Sequence, residues 1–293
     1  MKEYAFFPGC SIPSGFPVYE RLVLEILRRL GIEVRYPKGL TCCPAPMSVD
    51  LFNETACYAI SARNLSIVED MGLDLLTPCN GCTMSLSRAN RALRSSDETR
   101  AQVNSLLSTI GRSYQGTVEV RSLLRLLYEE VGPSRIQNMV VKPLKGLKVA
   151  VHYGCHAFEE LAEFNDPRNP TALEELCRAL GADVVEYPSK NSCCLVFANP
   201  VDRDTALDAV RAKVRDVSRS GADCMVVICA SCFSQFDRTQ EMMAWIDWIQ
   251  ESAMVPVFLY PELLGLAMGM TRSEVGIAEH SVDAGALLDC LDV

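Results

Sequence analysis

The chain has 293 residues, of which 49% are hydrophobic and 22% are charged, a composition typical of a folded protein with one large domain or two of ordinary size. Its formal net charge of −9 and the lack of a basic stripe exclude a nucleic-acid-binding surface. The N-terminus lacks the apolar stretch of a signal peptide, and the best candidate for a membrane span, 255–270, is interrupted by Pro256 and Pro261. We therefore expect a cytoplasmic protein that reaches a membrane only through a partner.

The first part of the chain alternates short apolar runs with helical patterns. The predicted elements are, in order, a strand at 4–7, a helix at 18–30, a strand at 33–36, a helix at 55–71, a strand at 73–77, a helix at 79–93 and an amphipathic helix near 118–131. Leu22, Ile26 and Leu30 form an apolar stripe that we expect to face the core or a partner. Pro133 and the segment 143–146 mark the predicted join between two halves.

The second part of the chain repeats this alternation. The predicted elements are a strand at 148–152, a helix at 171–180, a strand at 183–187, a helix at 202–218, a strand at 224–228 and a helix at 233–249. Trp245, Trp248 and Ile249 form a second apolar stripe, predicted to be core or a partner interface. The pattern predicts an α/β fold with two pseudo-symmetric, Rossmann-like halves, each with a parallel sheet covered by helices. The predicted domains are 1–145, including a helical linker, and 146–293.

Ten of the fourteen cysteines fall into two sets with matching spacing. Each set reads Cys, then 31 or 37 residues, Cys-Cys, then 35 or 34 residues, and Cys-x-x-Cys. The first set is Cys10, Cys42, Cys43, Cys79 and Cys82, and the second set is Cys155, Cys193, Cys194, Cys229 and Cys232. Tyr36-Pro37 and Tyr187-Pro188 also precede the two double cysteines by the same distance. The sequence therefore indicates a duplication with one cysteine site in each half.

The cysteines of both sets directly follow predicted strands. Loops that leave the carboxyl ends of parallel strands converge on one edge of a sheet, where ligands bind. We therefore expect the five cysteines of each set to meet at one point. The remaining cysteines have no counterpart in the other half and are predicted to be buried apolar residues; they are Cys57, Cys177, Cys224 and Cys290.

Five thiols in each set indicate a metal site. In a reducing compartment, clustered cysteines are more often metal ligands or redox centres than structural disulfides. A structural zinc ion takes four ligands, and an ordinary iron–sulfur cluster also takes four. An adjacent Cys-Cys pair is awkward for two bonds to one ion but suits two atoms of a larger cluster. The spacing favours an iron–sulfur cluster of unusual nuclearity, while zinc and disulfides remain possible.

The duplicated pattern resembles the cysteine-rich CCG domains in the B subunit of heterodisulfide reductase over nearly the whole chain. The residues that carry the resemblance are Gly9-Cys10, Cys42-Cys43-Pro44-Ala45-Pro46, Tyr58-Ala59, Ala62-Arg63-Asn64-Leu65, Cys79-Asn80-Gly81-Cys82, His152-Tyr153-Gly154-Cys155-His156, Gln235-Phe236-Asp237-Arg238 and Glu262-Leu263-Leu264-Gly265-Leu266-Ala267 with Gly269-Met270. The resemblance implies two noncubane [4Fe–4S] clusters. One would be bound by the five cysteines of the first set and the other by those of the second set.

The resemblance also implies a mechanism. In the family the two clusters face each other across a cavity, and a disulfide is cleaved between them into two thiols, each sulfur being captured by a cluster iron before release. Opening a disulfide takes two electrons, whereas iron–sulfur centres usually pass one at a time. The expected partners are a ferredoxin-like [4Fe–4S] protein of the heterodisulfide reductase C type and a flavin protein of the heterodisulfide reductase A type, since this chain has no Gly-rich dinucleotide fingerprint.

Several single residues bear on the substrate. Leu195 stands where the family usually has Gly, and Ala230 where it often has Pro, so the disulfide could be the coenzyme M–coenzyme B heterodisulfide or a different one. His156 is a candidate proton donor, or a residue that sets the cluster potential. Lys38 and Lys190 precede the double cysteines, where they could meet an anionic substrate, offset cluster charge or lie exposed in loops.

A second function remains open on the sequence alone. CCG domains also occur in noncatalytic electron-relay or scaffold subunits attached to lactate or glycolate oxidases. The stretch 262–270 resembles the reductase and not this second class. The sequence therefore favours the catalytic component of a disulfide reductase, with a relay protein as the alternative.

Overall fold

The computed structural model describes residues 2–46, 49–246, 248–250 and 253–293. The first half consists of β1 (Glu3–Phe6), α1 (Ser11–Gly15), α2 (Pro17–Arg29), β2 (Glu33–Arg35), α3 (Val49–Phe52), α4 (Glu54–Glu69), β3 (Asp74–Thr77), α5 (Asn80–Ser95), α6 (Asp97–Ser108), β4 (Val120–Ser122), α7 (Leu123–Arg125) and α8 (Pro133–Asn138). A π-helical segment, Leu126–Val131, continues α7.

The second half repeats the strand arrangement of the first. It consists of β5 (Lys148–His152), a 3-10 turn (Cys155–Ala157), α9 (Phe158–Phe164), α10 (Ala172–Ala179), β6 (Asp183–Val184), a 3-10 turn (Val196–Ala198), α11 (Arg203–Arg219), β7 (Cys224–Val227), α12 (Ala230–Trp245), β8 (Val257–Leu259), α13 (Tyr260–Ala267), α14 (Arg272–Val275), a 3-10 turn (Ile277–Glu279) and α15 (Gly285–Leu291).

The two sheets have the same topology. Their strand orders are β2-β1-β3-β4 and β6-β5-β7-β8, and neighbouring strands are paired in parallel. In each sheet the direction of strand order reverses beside the first strand, which opens a crevice at the carboxyl edge. The predicted fold class, with two pseudo-symmetric α/β halves and parallel sheets, is confirmed.

Local sequence explains why these elements form. Pro17 occupies the first turn of α2, where its missing N–H costs no helical hydrogen bond. Leu22, Ile26 and Leu30 are each about 1% exposed, so the predicted stripe belongs to the core. The central strands β3 and β7 are almost wholly buried, as expected for strands covered by helices on both faces.

Three predicted elements differ from the structure. The predicted helix at 118–131 begins with strand β4, because its backbone pairs with β3 in the register Leu75↔Val120. Of the strand predicted at 183–187, only Asp183 and Val184, which form β6, pair with β5. The helix predicted at 233–249 ends at Trp245. Trp245 is 77% exposed and Trp248 is 39% exposed, whereas Ile249 packs against the core, so only Ile249 of the predicted second stripe belongs to it.

The fourth strand of each sheet was missing from the prediction. Strands β4 and β8 have three residues each, too few to show a period. The apolar run 255–270 contains β8 and α13, both buried in the protein. Within the described residues, no helix is long and apolar enough to cross a membrane.

The two halves pack against each other reciprocally. Helix α13 of the second half lies on α2, where a Cβ on Gly265 would sit 3.1 Å from Leu22 Cδ1. In the equivalent place of the first half, the π-helical segment lies on α10, and Tyr128 Oη donates to Glu175 Oε2 at 3.1 Å. Helix α5 also packs against the 3-10 turn at Cys155. This exchange brings the carboxyl edges of the two sheets together.

Candidate metal centres

Both cysteine sets lie at the carboxyl edges of their sheets, as predicted. In the first half, Cys10 follows β1 and Cys79 precedes α5 as its N-cap residue. In the second half, Cys155 begins the 3-10 turn after β5, and Cys229 is the N-cap residue of α12. The double cysteines lie in the loops after β2 and β6. Short strand-to-loop connections therefore place five thiols at each edge.

The thiols of the first set form a continuous chain of contacts. The Cys42 thiol is hydrogen-bonded to Cys10, and burial together with neighbouring thiols raises the pKa of Cys42 to about 11. At the other end, Cys82 is hydrogen-bonded to Cys43 and Cys79, which raises the pKa of Cys82 well above its usual value. The adjacent residues Cys42 and Cys43 join the two ends.

The second set repeats these contacts in the same order. Cys193 Sγ lies 3.4 Å from Cys155 Sγ, and Cys232 Sγ lies 3.4 Å from Cys194 Sγ. Hydrogen bonds with Cys155 and Cys194 lower the pKa of Cys193 to about 2, whereas the partner thiol Cys155 has a raised pKa. A disulfide requires a sulfur separation near 2.05 Å, so these are gathered free thiols.

The four remaining cysteines lie outside both groups. Cys57, Cys177 and Cys224 are buried, as predicted. Cys290 is exposed in α15, so the prediction that it is buried is wrong. It lies in a short terminal helix whose core contact is made by Leu288.

Two glycines are required beside the thiols. Gly9 and Gly154 have φ values of +79° and +80°, in the region that favours glycine. A Cβ on Gly9 would lie 2.9 Å from Cys82 Sγ, and one on Gly154 would lie 3.0 Å from Cys232 Sγ. The Gly-Cys dipeptides therefore allow the first cysteine of each set to approach the Cys-x-x-Cys pair.

Asn80, between the two cysteines of the first Cys-x-x-Cys pair, contacts the second site directly. Its side-chain Nδ2 donates to Tyr153 O at 2.9 Å, and its backbone N–H donates to the Cys229 thiol. The hydrogen bond with the Cys232 thiol, together with the backbone N–H groups of Cys232, Ser231 and Asn80, lowers the pKa of Cys229 to about 7. The two sites are therefore neighbours across the junction of the halves.

A cleft opens beside each site. At the second site it has a volume of about 270 Å³ and is lined by Asn80, Cys155, His156, Cys193, Phe197 and Ser231, among others. At the first site a wider cleft of about 700 Å³ is lined by residues that include Cys10, Tyr36, Leu40 and Cys42. The first site is thus the more open of the two.

The remaining predicted residues differ in their surroundings. His156 is 9% exposed, and its ring lies 5.4 Å from that of Phe197 in the second cleft. Lys38 is exposed, whereas Lys190 is 8% exposed and forms an ion pair with Glu174. Lys190 is therefore neither an exposed loop lysine nor free to meet a substrate.

Sequence reasoning missed two residues that hold the double-cysteine loops. Asn64 in α4 accepts from Thr41 N at 2.9 Å and donates to Cys42 O at 3.0 Å. Lys213 in α11 is 2% exposed and donates to Ser189 O at 2.6 Å. Burial lowers the pKa of Lys213 to about 8. A lysine on a buried helix face is the signal that marks such a residue, since lysine is rarely buried without a partner.

Leu195 occupies a backbone conformation unusual for its residue type. Its φ is +55° and its ψ is +24°, in the left-handed region, immediately after Cys194. This conformation costs an ordinary residue about 1–2 kcal/mol but costs glycine almost nothing. The departure from glycine seen in the sequence therefore places strain next to the second site.

Comparison with known proteins identifies the family. The model of the CCG cysteine-rich domain matches residues 4–87 and 149–237, one match in each half. The chain belongs to the CCG cysteine-rich domain family. Its full-length similarity to heterodisulfide reductase proteins places it, within that family, in the type of the reductase's B subunit.

Three relatives match this CCG chain over nearly its full length. The B subunit of the ferredoxin/F420H2-dependent CoB-CoM heterodisulfide reductase of Methanosarcina acetivorans is 36% identical, over 96% of this chain and 94% of that protein. The 8-methylmenaquinol:fumarate reductase membrane anchor subunit of Wolinella succinogenes is also 36% identical, over 98% and 99%. A protein of Archaeoglobus profundus, named as similar to the B subunit of heterodisulfide reductase, is 33% identical, over 94% and 93%.

A solved structure shares the fold of the CCG chain. A hypothetical protein from Helicobacter pylori superposes with a TM-score of 0.78 at 13% identity, over 96% of this chain and 52% of that one. At this identity the similarity concerns the fold alone. It supports the assignment of two α/β halves.

Proposed function

We propose that this CCG chain is the catalytic iron–sulfur component of a heterodisulfide-reductase-type complex. It would reduce a disulfide to two thiols between two noncubane [4Fe–4S] clusters, held by the first and second cysteine sets. The observation that carries the proposal is the contact of Asn80, from the first site, with Cys229 of the second site. This contact makes the two equivalent five-thiol groups direct neighbours. The relatives named as components of heterodisulfide reductases support the same oxidoreductase class.

The residues present fit such clusters. Each group offers five sulfurs linked by a chain of contacts, one more than a tetrahedral zinc ion accepts. At the second site, His152 Nε2 is buried and has no hydrogen-bond partner among the described residues. His152, Cys194 and Cys232 place their ligand atoms within 4.8 Å of one another. A buried N–H without a partner is costly, so His152 Nε2 needs a hydrogen-bond acceptor near the cysteines. A sulfur of the cluster or of a thiolate would be such an acceptor.

When bound, the clusters would supply single electrons and irons with affinity for sulfur. The reaction R–S–S–R′ + 2e⁻ + 2H⁺ → R–SH + R′–SH also needs two protons. His156 is our candidate proton donor, because its imidazole lines the second cleft and histidine titrates near neutral pH. The apolar ring of Phe197 would limit access of water and of wide substrates to that cleft.

Partners and placement follow from the same proposal. The expected partners are a ferredoxin-like [4Fe–4S] protein of the heterodisulfide reductase C type and a flavin protein of the A type. The disulfide substrate would be the coenzyme M–coenzyme B heterodisulfide or a related one. We place the chain in the cytoplasm, with domains 1–145 and 146–293, and with any membrane contact made by a partner.

An electron-relay protein is the second candidate. Two observations favour it: the similarity to the membrane anchor of a fumarate reductase, and the bulky Leu195 and Phe197 at the second site. Lactate utilization protein A 2 of Bacillus cereus, 23% identical over 66% of this chain, is a more distant relative. A relay protein would keep both clusters but would leave no room for a substrate.

The two functions are separated by two measurements. Anaerobic purification should give about eight irons per chain if two [4Fe–4S] clusters are present; two zinc ions without sulfide would overturn the cluster assignment. The chain, reconstituted with its partner subunits, should then oxidise reduced viologen when a substrate disulfide is added. Intact clusters that transfer electrons to no disulfide would support the relay function instead.

A further inference from the structure

The two cysteine sites are built on equivalent elements but differ in two buried residues. Phe7 and His152 each lie three residues before the first cysteine of a set. Asn64 and Lys213 each lie eleven residues after the N-cap residue of the equivalent helices α4 and α11. All four residues are at most 2% exposed. The first site thus has a neutral Phe and Asn where the second has a His and a Lys.

The contacts of Lys213 indicate a protonated side chain. Its Nζ lies 2.6 Å from Ser189 O, 2.8 Å from Ser192 O and 3.3 Å from Lys190 O, and His152 Nδ1 lies 3.0 Å away. An ammonium has three protons for the three carbonyl acceptors, whereas a neutral amine has two. Within the part of the chain that the structure describes, no carboxylate forms an ion pair with Lys213. The charges that act on its ammonium are those of the thiols Cys232, Cys194 and Cys193, followed by the carboxylate of Asp216.

The same contacts determine the tautomer of His152. Because Lys213 can only donate, His152 Nδ1 must accept, and the proton of the neutral imidazole lies on Nε2. Nε2 is buried and has no hydrogen-bond partner among the described residues, and a ring nitrogen of His152 lies within 4.8 Å of the Cys194 and Cys232 sulfurs. A protonated Nε2 cannot ligate a metal but can donate to sulfur. His152 is thus a hydrogen-bond donor at the second site and not a sixth ligand.

We propose that His152 and Lys213 stabilise added negative charge at the second site, so that its cluster is reduced before the cluster of the first site. They act as positioning residues, through charge and through one N–H donor. Net charge, hydrogen bonds to sulfur and solvent exposure together set the potential of such clusters. Phe7 and Asn64 are neutral, and the cation that binds the first loop, Arg63, is partly exposed and donates to Gly39 O at 2.8 Å.

Solvent acts in the opposite direction. The wider cleft at Cys10 and Cys42 admits more water, which also stabilises a reduced cluster. Water and mobile ions respond to charge on both clusters, but they screen a buried charge such as Lys213 only weakly. We therefore expect the effect of the His152–Lys213 pair to dominate. This inference rests on cluster occupancy of both sites and not on the identity of the substrate.

The test is a redox titration of the full chain with one site disabled at a time. Cys43→Ala leaves the second site and Cys194→Ala leaves the first, and each reduced cluster is followed by its paramagnetic resonance signal. At one fixed ambient potential, we expect the reduced-to-oxidised ratio to be at least tenfold higher for the second site, about 59 mV for a one-electron couple. An equal or lower ratio at the second site would overturn the proposal, and so would a second site that retains no iron.

Variants of His152 and Lys213 test whether these two residues set the potential of the second-site cluster. In the chain that retains only the second site, Lys213→Gln and His152→Phe should each lower the reduced-to-oxidised ratio several-fold, whereas Lys213→Arg should preserve it. His152→Phe introduces the residue that the first half carries at this position. Unchanged ratios in Lys213→Gln and His152→Phe at full iron content would contradict the proposal. Separated potentials without turnover on any disulfide would leave this inference intact and overturn the catalytic function instead.

Discussion

The two double-cysteine loops show how the two copies of a duplicated site can come to differ in their electrostatic surroundings. The loop at Cys42 is tied to α4 by neutral hydrogen bonds from the buried Asn64 and by the partly exposed Arg63, which donates to Gly39 O at 2.8 Å. The loop ending at Cys193 is tied to α11 by the buried ammonium of Lys213. The thiol contacts are nevertheless the same in both halves. Ligand geometry is therefore set by the shared strand-to-loop topology, while charge is set by residues of the supporting helices and strands.

The largest effect is expected from the second double cysteine itself. Cys193→Ala should abolish disulfide turnover, because it removes a thiol that contacts both Cys155 and Cys194. The first-site cluster should remain visible in the spectrum. Cys290→Ala, which changes an exposed cysteine of α15, is the matched control and should leave turnover unchanged. Normal turnover in Cys193→Ala would rule out a catalytic second site.

The residue after the first cysteine also differs between the sites: it is Ser11 at the first site and His156 at the second. If His156 donates a proton to a departing thiolate, His156→Gln should lower kcat about 10²–10⁴-fold, the usual contribution of general acid catalysis. Cluster content should be unchanged. The pH profile of kcat should also lose one ionisation. A retained profile together with an altered cluster potential would instead assign His156 to tuning the cluster.

The neutral anchor of the first loop is expected to matter for stability. Asn64→Ala should lower the free energy of unfolding of the metal-free chain by about 2–3 kcal/mol, because Thr41 and Cys42 lose buried hydrogen-bond partners. Urea unfolding measures the change. Asn138→Ala, at an exposed position in α8, should stay within about 0.5 kcal/mol of the parent. If the two substitutions changed the free energy of unfolding equally, Asn64 would not be an anchor of the first loop.

The apolar wall of the second cleft is expected to select the substrate. Phe197 lines this cleft, whereas Pro46 holds the corresponding position after the first double cysteine. Phe197→Ala should raise kcat/KM for wide disulfides relative to narrow ones by about tenfold. A small change in the volume of an apolar pocket usually alters substrate discrimination by about this factor. Val201→Ala, at a residue that is 90% exposed beyond the same loop, should leave the ratio unchanged.

The smallest effect concerns the backbone after Cys194. Leu195→Gly should be more stable than Leu195→Ala by about 1 kcal/mol, because alanine keeps the left-handed strain that glycine relieves. Comparing two truncated variants removes the contribution of the leucine side chain. Thermal unfolding of the two chains measures the difference. A more stable alanine variant would show that the loop relaxes out of this conformation.

Much of the fold could be predicted because its elements are local. The helices α2, α4, α5 and α11 lie close to the predicted ranges. Amphipathic periodicity extends over several turns in α2, α5 and α11, whereas α4 has no marked apolar face. Strand β4 was predicted to be helical, and β8 was missed. Both are three residues long, and their conformation depends on pairing with β3 and β7. Such pairing is a long-range contact that no local pattern reveals.

The sequence by itself determined the two five-cysteine sets, their positions after strands, and the duplication, because spacing and periodicity are properties of short segments. Only the tertiary structure decided that Asn80 of one half contacts Cys229 of the other. It also showed that His152 and Lys213, 61 residues apart, meet beneath one site and not beneath the other. Those contacts arise from packing between elements distant in sequence, where one buried charge acts over a few ångströms and changes the character of a shared site.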